Sequence, residues 1–297
     1  MNLGQFKKTI WDYYKKNGRH NLPWRKTKDP YKILISEVML QQTQVTRVIE
    51  KYKSFLEKFP TVEALAKAPL KDVLLEWQGL GYNRRAKYLK LCAEKVVTEY
   101  RGKFPKNLKE LVALPGIGPA TAGDILAFAY NIPVPVIETN IRSVFIHFFK
   151  GVEGALADTQ TNTYARSNLR AETPSPPSSK FRKVSSLISD KELLPFIEQT
   201  LDMKNPREWY WALFDYGAYL KQTRNPNTQS KHYVKQSPFK GSNREKRSQI
   251  LKLILEKPRT EKEIIKTLGY ESEVIHKNLK QMIKENLIKK EKGKFFV

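Results

Sequence analysis

Two apolar helical stretches joined by LPGIGPATAG, residues 114–123, constrain this chain more than any other feature. Leu108–Leu114 and Ala120–Tyr130 carry apolar side chains at helical spacing. Between them, Pro115-Gly116-Ile117-Gly118 holds two glycines that permit a tight backbone reversal. Such a helix-hairpin-helix points backbone N–H groups outward beside a helix N-terminus. That geometry suits a phosphate, with a monovalent cation as a further candidate at the turn. It anchors a nucleic-acid backbone and reads no base sequence. The bland alternative is an ordinary helix connection.

The rest of the first half reads as helix after helix. Phe6, Ile10 and Trp11, with Tyr13 and Tyr14, mark an opening helix. Tyr31–Gln42, Val45–Phe59, Leu70–Trp77 and Arg84–Tyr100 follow, and Asn140–Phe149 restarts the pattern after Asn131-Ile-Pro-Val-Pro. No alternating-strand region and no solenoid repeat interrupts them, so the expected class is all-α. Residues 154–190 turn to Ser, Thr, Pro, Asn and Arg, too few apolar groups to offset their ordering, and are expected to be an exposed, partly disordered insertion. Helices resume at Lys191–Thr200 and Pro206–Leu220, completing a body over 1–222. A basic linker follows at 223–242. In 243–297, Arg244–Leu255, Thr260–Thr267 and Glu273–Glu285 read as three short helices, and LIKKEKGKFFV as two strands around a basic tip. Helix–helix–helix–wing is the pattern of a winged-helix domain, a module that binds DNA in some proteins and protein in others.

Charge narrows the partner. The 297 residues hold 54 Lys and Arg against 30 Asp and Glu, a formal net charge of +24. An excess of that size suits a polyanion, nucleic acid first and an anionic membrane surface second. No apolar run reaches membrane-spanning length, and the opening segment lacks a signal-peptide core, so a soluble, cytoplasmic, nucleoid-associated monomer is expected. Cys92 is the only cysteine, which rules out an intramolecular disulfide framework and a four-thiolate cluster built by this chain alone. Cys92 itself is expected to be a small buried hydrophobe.

Two carboxylates stand out. Glu37 lies in ILISEVMLQQ among Ile33, Leu34, Ile35, Val38, Met39 and Leu40. Desolvation there should raise its pKa and suit it to general-acid work, unless it is a buried Glu paired with an Arg or Lys. Glu138 precedes a helix that starts near Asn140, where a carboxylate is stabilised as the anion and can equally be a plain first-turn cap. A neutral and an ionised carboxyl together provide the division of labour of glycoside cleavage.

SEVMLQQTQV (36–45), QGLGYNRRAKYL (78–89), LPGIGPATAG and the Asn140 neighbourhood together resemble the adenine DNA glycosylase branch of the helix-hairpin-helix glycosylase superfamily. The similarity covers residues 1–150 and resumes at WYWALFDYGAYL (209–220). It implies a two-lobed helical fold that binds mismatched double-stranded DNA, flips adenine out opposite 8-oxoguanine or guanine, and hydrolyses its glycosidic bond. By the same resemblance Glu37 is the acid that protonates adenine N7, and Glu138 stands where the family has an aspartate that stabilises the oxocarbenium-like sugar. Gln42 and Tyr82 are implied to enter the base stack, with Thr43, Gly116, Ile117, Gly118, Ala120 and Thr121 also at the DNA. Arg19, Leu22 and Trp24 are implied to wall the base pocket, and Asn140 to support the catalytic loop. Trp24 could equally be core. Arg84, Arg85, Lys87 and Lys90 read as a solvated stripe facing phosphates.

The departures are informative. Ala120 replaces the lysine with which strand-cutting relatives form a Schiff base, so the resemblance implies a monofunctional enzyme that leaves an abasic site. Glu138 is one methylene longer than the family aspartate. The family's iron–sulfur cysteines are replaced by KQTRNPNTQSKHYVKQS, so no cluster is expected and no other metal is called for. The winged helix stands in place of the family's 8-oxoguanine domain. Two alternatives stay open: a glycosylase for mispaired thymine, uracil or a deaminated base, and a non-catalytic DNA binder that uses the winged helix.

Overall fold

In the computed structural model, residues 2–149 and 187–297 are described. The chain is helical almost throughout: α1 (Leu3–Asn17), α2 (Pro30–Leu40), α3 (Val45–Lys58), α4 (Val62–Lys67), α5 (Leu70–Glu76), α6 (Arg84–Tyr100), α7 (Leu108–Val112), α8 (Pro119–Tyr130), α9 (Thr139–Phe149), α10 (Asp190–Thr200) and α11 (Pro206–Thr223). The all-α expectation therefore holds for the body. Sequence periodicity missed α4, whose six residues are too short for a clear pattern; Thr61 caps it by accepting from the Ala64 N–H at 3.2 Å.

The body has two lobes. In one, α2 packs on α3 and α8, and α4 and α5 lie against α6. In the other, α9 and α11 pair along their length, flanked by α1 and α10. Aromatic rings fill that second core: Phe6 sits 5.4 Å from Phe145 and 5.0 Å from Phe149, with Trp209 edge-on at 6.0 Å. Gly217 allows the closest approach, because a Cβ there would lie 2.3 Å from the Asn140 carbonyl oxygen. The two lobes meet where α11 crosses α8 and where the α8–α9 connection passes between them.

Most of the proposed insertion, 154–186, lies outside the described residues. Its last residues are ordered differently from expectation: Ile188 bridges to Ser230, and Asp190 opens α10 while pairing with Arg142 at 2.5 Å. The linker read over 223–242 also begins later. Thr223 ends α11, and a short turn, Pro226–Gln229, folds back onto α9. There the buried Asn227 donates to Thr139 O at 2.8 Å and to Ser143 Oγ. Lys231 still donates its N–H to Ile188 O at 2.9 Å.

The C-terminal module contains α12 (Asn243–Glu256), β1 (Arg259–Thr260), α13 (Glu261–Leu268), α14 (Ser272–Lys284), β2 (Lys289–Glu291) and β3 (Lys294–Phe296). Three helices and a basic-tipped hairpin appear as the sequence suggested. The strand β1 was not anticipated; it pairs antiparallel to β3, giving sheet order β1-β3-β2. Two residues carry no readable alternation. Ile250, Ile254, Ile264, Leu279, Met282 and Phe295 form the module's core, and Ile283 is exposed.

Candidate active site

The site sits between the lobes, and each lobe contributes a carboxyl. Asp29 caps α2 through the Tyr31 N–H at 2.9 Å, with Pro30 at the first helical position. Both faces of α2 are apolar, because it packs between α3 and α8. Glu37 is set in that helix, half-buried as a residue, with its carboxyl enclosed by the surrounding groups. Burial, then the neighbouring Glu138, push its pKa up to about 8, against a smaller lowering by Arg25. The alternative of a buried Glu locked in an ion pair does not hold, since no cation closes on it among the described residues.

Glu138 belongs to the other lobe and closes the N-terminus of α9. Its Oε1 accepts from the Asn140 N–H at 2.6 Å and the Ile141 N–H at 3.0 Å, and Oε2 accepts from Asn140 Nδ2 at 3.4 Å. The helix cap is thus formed, and it aims two backbone N–H donors at this carboxyl. The expectation of a simply favoured anion needs correction. Burial raises the Glu138 pKa, and the two N–H donors and the more distant Lys221 and Arg142 only pull it back. Of the carboxyls gathered here, Glu138 is still the one whose negative charge is hydrogen-bonded, so it is the one best able to stay ionised. Asn140 supplies two of these three donors.

A third carboxyl, Asp124 of α8, also faces this cluster and is raised well above the ordinary range by burial and by Glu37 and Glu138. Sequence reasoning passed over it, because one acid inside an apolar helix has no local signature.

Asp215 is different. Its carboxylate accepts from the Arg19 backbone N–H (2.8 Å), Arg19 Nε (2.6 Å), and Arg25 Nη1 and Nη2 (2.8 Å each). Those partners lower its pKa in spite of burial. Asp215 is thus a carboxylate committed to two guanidinium groups. It pins the segment holding Arg19, Leu22 and Trp24 to α11. Arg19 is partly exposed, Leu22 partly buried, and Trp24 is 6% exposed with Tyr52 edge-on at 5.6 Å. Trp24 is therefore a core residue at this margin of the site.

The hairpin forms as read. Gly116 has φ +76°, and a Cβ there would lie 2.6 Å from Tyr88 Cβ, so both conformation and space demand glycine. Ile117 is buried, Gly116 and Gly118 are exposed, and Ala120 and Thr121 start α8. Gly118 has open space where a Cβ would stand.

Gln42 and Tyr82 occupy left-handed backbone conformations, with φ +57° and +49°. Strain of this kind persists only when neighbours over-determine the fold, and it concentrates at functional sites. Here Arg85 holds both loops. It donates to Val38, Met39 and Gln41 carbonyls at 2.5–3.1 Å, to Leu80 O at 3.0 Å and Gly81 O at 3.3 Å, and to Thr43 Oγ1 at 3.2 Å. Burial lowers its pKa to about 10. Arg85 is accordingly no solvated phosphate contact. Lys90 is likewise engaged, with Glu94 and Ala66 O, and Lys87 donates to Glu285 O at 2.6 Å; only Arg84 of that stripe is exposed. Tyr82 is 37% exposed, and its hydroxyl accepts from Gln236 Nε2 at 2.6 Å, which also reaches Gln42 Oε1 at 3.1 Å. Arg244 lies 5.3 Å over the Tyr82 ring. A cleft of about 400 Å³ opens beside them, walled by Gln42, Tyr82 and Tyr88 of the body and by Arg244, Arg247 and Ser248 of the C-terminal module.

Cys92 is buried in α6, as expected, and its thiol pKa is raised to about 12. One buried thiol does not fit a four-thiolate iron–sulfur cluster. Among the described residues no group of His, Cys, Asp and Glu is arranged to hold a metal ion, and no helix is long and apolar enough to cross a membrane.

Curated relatives include adenine DNA glycosylases. That of Buchnera aphidicola subsp. Schizaphis graminum is 38% identical over 158 residues, 53% of this chain and 45% of that protein. That of Mycolicibacterium smegmatis is 40% identical over 161 residues, 54% of this chain and 55% of that one. The chain thus spans about half the length of the curated relatives it matches. Among solved structures, a thermostable thymine-DNA glycosylase superposes with a TM-score of 0.59 at 25% identity, over 75% of this chain and 89% of that one. Residues 35–167, from the helix of Glu37 through the hairpin and the Glu138 loop, match the HhH-GPD superfamily of base excision DNA repair proteins.

Proposed function

We propose that this chain is a monofunctional DNA N-glycosylase that removes adenine mispaired with 8-oxoguanine or guanine from duplex DNA. The observation that carries the reading is the opposition of two unlike carboxyls across the lobes, Glu37 buried without a counter-charge and pushed toward its neutral form, and Glu138 accepting two backbone N–H bonds that favour its anion. Adenine is a poor leaving group until N7 is protonated. A carboxyl with a pKa near 8 still carries its proton at neutral pH and can supply it there. As the C1′–N9 bond lengthens, positive charge grows on the sugar, and Glu138 is placed to stabilise it. Adenine must leave the stack to reach this site. Tyr82, Gln42 and Thr43 are in position to fill or flank the gap. The hairpin at Gly116–Gly118 and the N-terminus of α8 hold a phosphate, and the hairpin backbone is open enough to seat a monovalent cation that neutralises it. Ala120 leaves no amine for Schiff-base chemistry, so the product is an abasic site. The C-terminal module belongs to the same reading as a winged-helix domain set beside the Gln42–Tyr82 loops. A nucleoid location and a monomer acting alone follow from this substrate and the net charge.

The relatives named above favour adenine. The likeness to a thymine-DNA glycosylase supports a second reading, removal of a mispaired thymine or uracil. A single-turnover assay separates the two, with duplexes carrying A opposite 8-oxoguanine, A opposite G, T opposite G and U opposite G, followed by alkaline cleavage at abasic sites. Wild-type protein should release adenine, and Glu37→Gln should not. No abasic product from any duplex would refute glycosylase function and leave a DNA-binding protein.

A further inference from the structure

Asp124 has no part in the mechanism above, yet it lies at the centre of the site. Gln41 Nε2 of α2 meets Thr121 Oγ1 of α8 at 3.5 Å, which fixes the register of the two helices. Glu37 is one turn back along α2 from Gln41, and Asp124 one turn on along α8 from Thr121. Side chains one turn apart share a face, so both carboxyls lie toward the α2–α8 contact, where Glu37 acts electrostatically on Asp124. The neighbouring residue touches the other half of the site, since a Cβ on Gly123 would come within 2.5 Å of Val136 Cγ2 in the segment that leads to Glu138. Asp124 is 5% exposed, and its Oδ1 has no hydrogen-bond partner.

The surroundings offer it no counter-charge. Glu37 faces it from α2, and Glu138 from the segment before α9. From α11 comes Tyr210, whose hydroxyl is taken up by Val134 O at 2.6 Å and the Val136 N–H at 3.0 Å. Arg25, from the turn at Pro23–Lys26, is committed to Asp215 together with Arg19, and Arg207 of α11 is committed to Phe128 O and Ala129 O. Lys109 and Glu110 of α7 face solvent. A carboxylate left bare in this setting costs far more than a carboxylic acid, so Asp124 holds a proton that no structural partner uses.

We propose that Asp124 is a positioning residue that shares and returns the proton Glu37 donates, an inference that rests on the glycosylase reading. Glu37 gives its proton to adenine N7 and becomes a carboxylate. The C1′–N9 bond breaks, and its electron pair leaves on the base. Asp124 passes its proton to Glu37, so the negative charge moves to Asp124 and Glu37 is an acid again. Water forms the new C1′–O bond, and the proton it releases returns to the carboxyl cluster. Two seats for the proton keep the acid loaded to higher pH than one would, because the apparent pKa values belong to the pair.

Single-turnover base release against pH, in wild type, Asp124→Asn and Asp124→Glu, tests this. Asn removes one seat and the like charge beside Glu37, so the alkaline midpoint should move down by about one pH unit, with about a tenfold loss of rate above both midpoints. Glu restores the second seat and should bring the midpoint back toward wild type. The proton uptake or release on unfolding at pH 7 provides a readout without activity, and Asp124→Asn should change it by about one proton. An unchanged midpoint and proton count in folded Asp124→Asn would overturn the inference, as would Asp124→Glu behaving like Asn. Absence of base release by wild type would instead overturn the glycosylase reading, and the proton count would still decide on Asp124.

Discussion

Glu37→Gln should make this protein more stable at alkaline pH while abolishing base release. The sign follows from proton counting. Unfolding returns the Glu37 carboxyl from about 8 to its ordinary 4.5. Between those values the folded chain holds a proton that the unfolded chain has lost, so stability falls as pH rises. Below about pH 4.5 both states are protonated and the effect is absent. Each pH unit in the interval costs about 1.4 kcal/mol, and the whole interval therefore costs on the order of 5 kcal/mol. Glutamine keeps the shape and does not titrate, so it removes that slope. Urea unfolding of both proteins at half-unit steps from pH 5 to pH 9 measures the difference. The two curves should lie close together near pH 5 and separate by several kcal/mol at pH 8, with Gln the more stable. Parallel curves over the whole range would show that Glu37 is ionised in the folded protein at neutral pH, and the general-acid argument would fail with it.

Other outcomes follow from the same structure. Glu138→Gln keeps the volume but removes the anion, and should slow single-turnover base release by on the order of 10²-fold or more; nearly full activity would reduce Glu138 to a helix cap. Glu138→Asp should also be slower than wild type, because the backbone N–H groups of Asn140 and Ile141 are set for the longer side chain; a faster Asp variant would refute that adaptation. Asp215→Asn strips the charge partner from Arg25, whose side chain is 4% exposed, and should destabilise the fold by about 3–5 kcal/mol in thermal or urea unfolding. Gly116→Ala meets both a left-handed backbone and the Tyr88 side chain, and should weaken DNA affinity in a salt-dependent binding assay while leaving α2 and α9 intact.

Much of this architecture is legible in the chain itself, because the forces that set it are local. Apolar spacing at three and four residues decides where helices run, Gly116 decides the hairpin turn, and a carboxylate among Ile, Leu, Val and Met announces its own desolvation. Helix ends followed the same logic to within one to three residues. Glu138 was visible for a similar reason, since it immediately precedes the helix it caps. What escaped the sequence depends on pairs far apart along the chain. Asp215 meets Arg19 across 196 residues and Arg25 across 190, and only that encounter makes an acid inside a helix a charge-paired clamp. Arg85 read as one more cation in a basic stripe until the folded loops brought carbonyls from two segments around its guanidinium. Gln236, in a stretch that resembles an indifferent linker, reaches Gln42 and Tyr82 by the return of the chain across the body. Asp124 is the clearest case. A single acid in an apolar helix is silent in one dimension, and it acquires chemistry only when helix packing sets it beside Glu37, because the cost of a buried charge is determined by its neighbours in space.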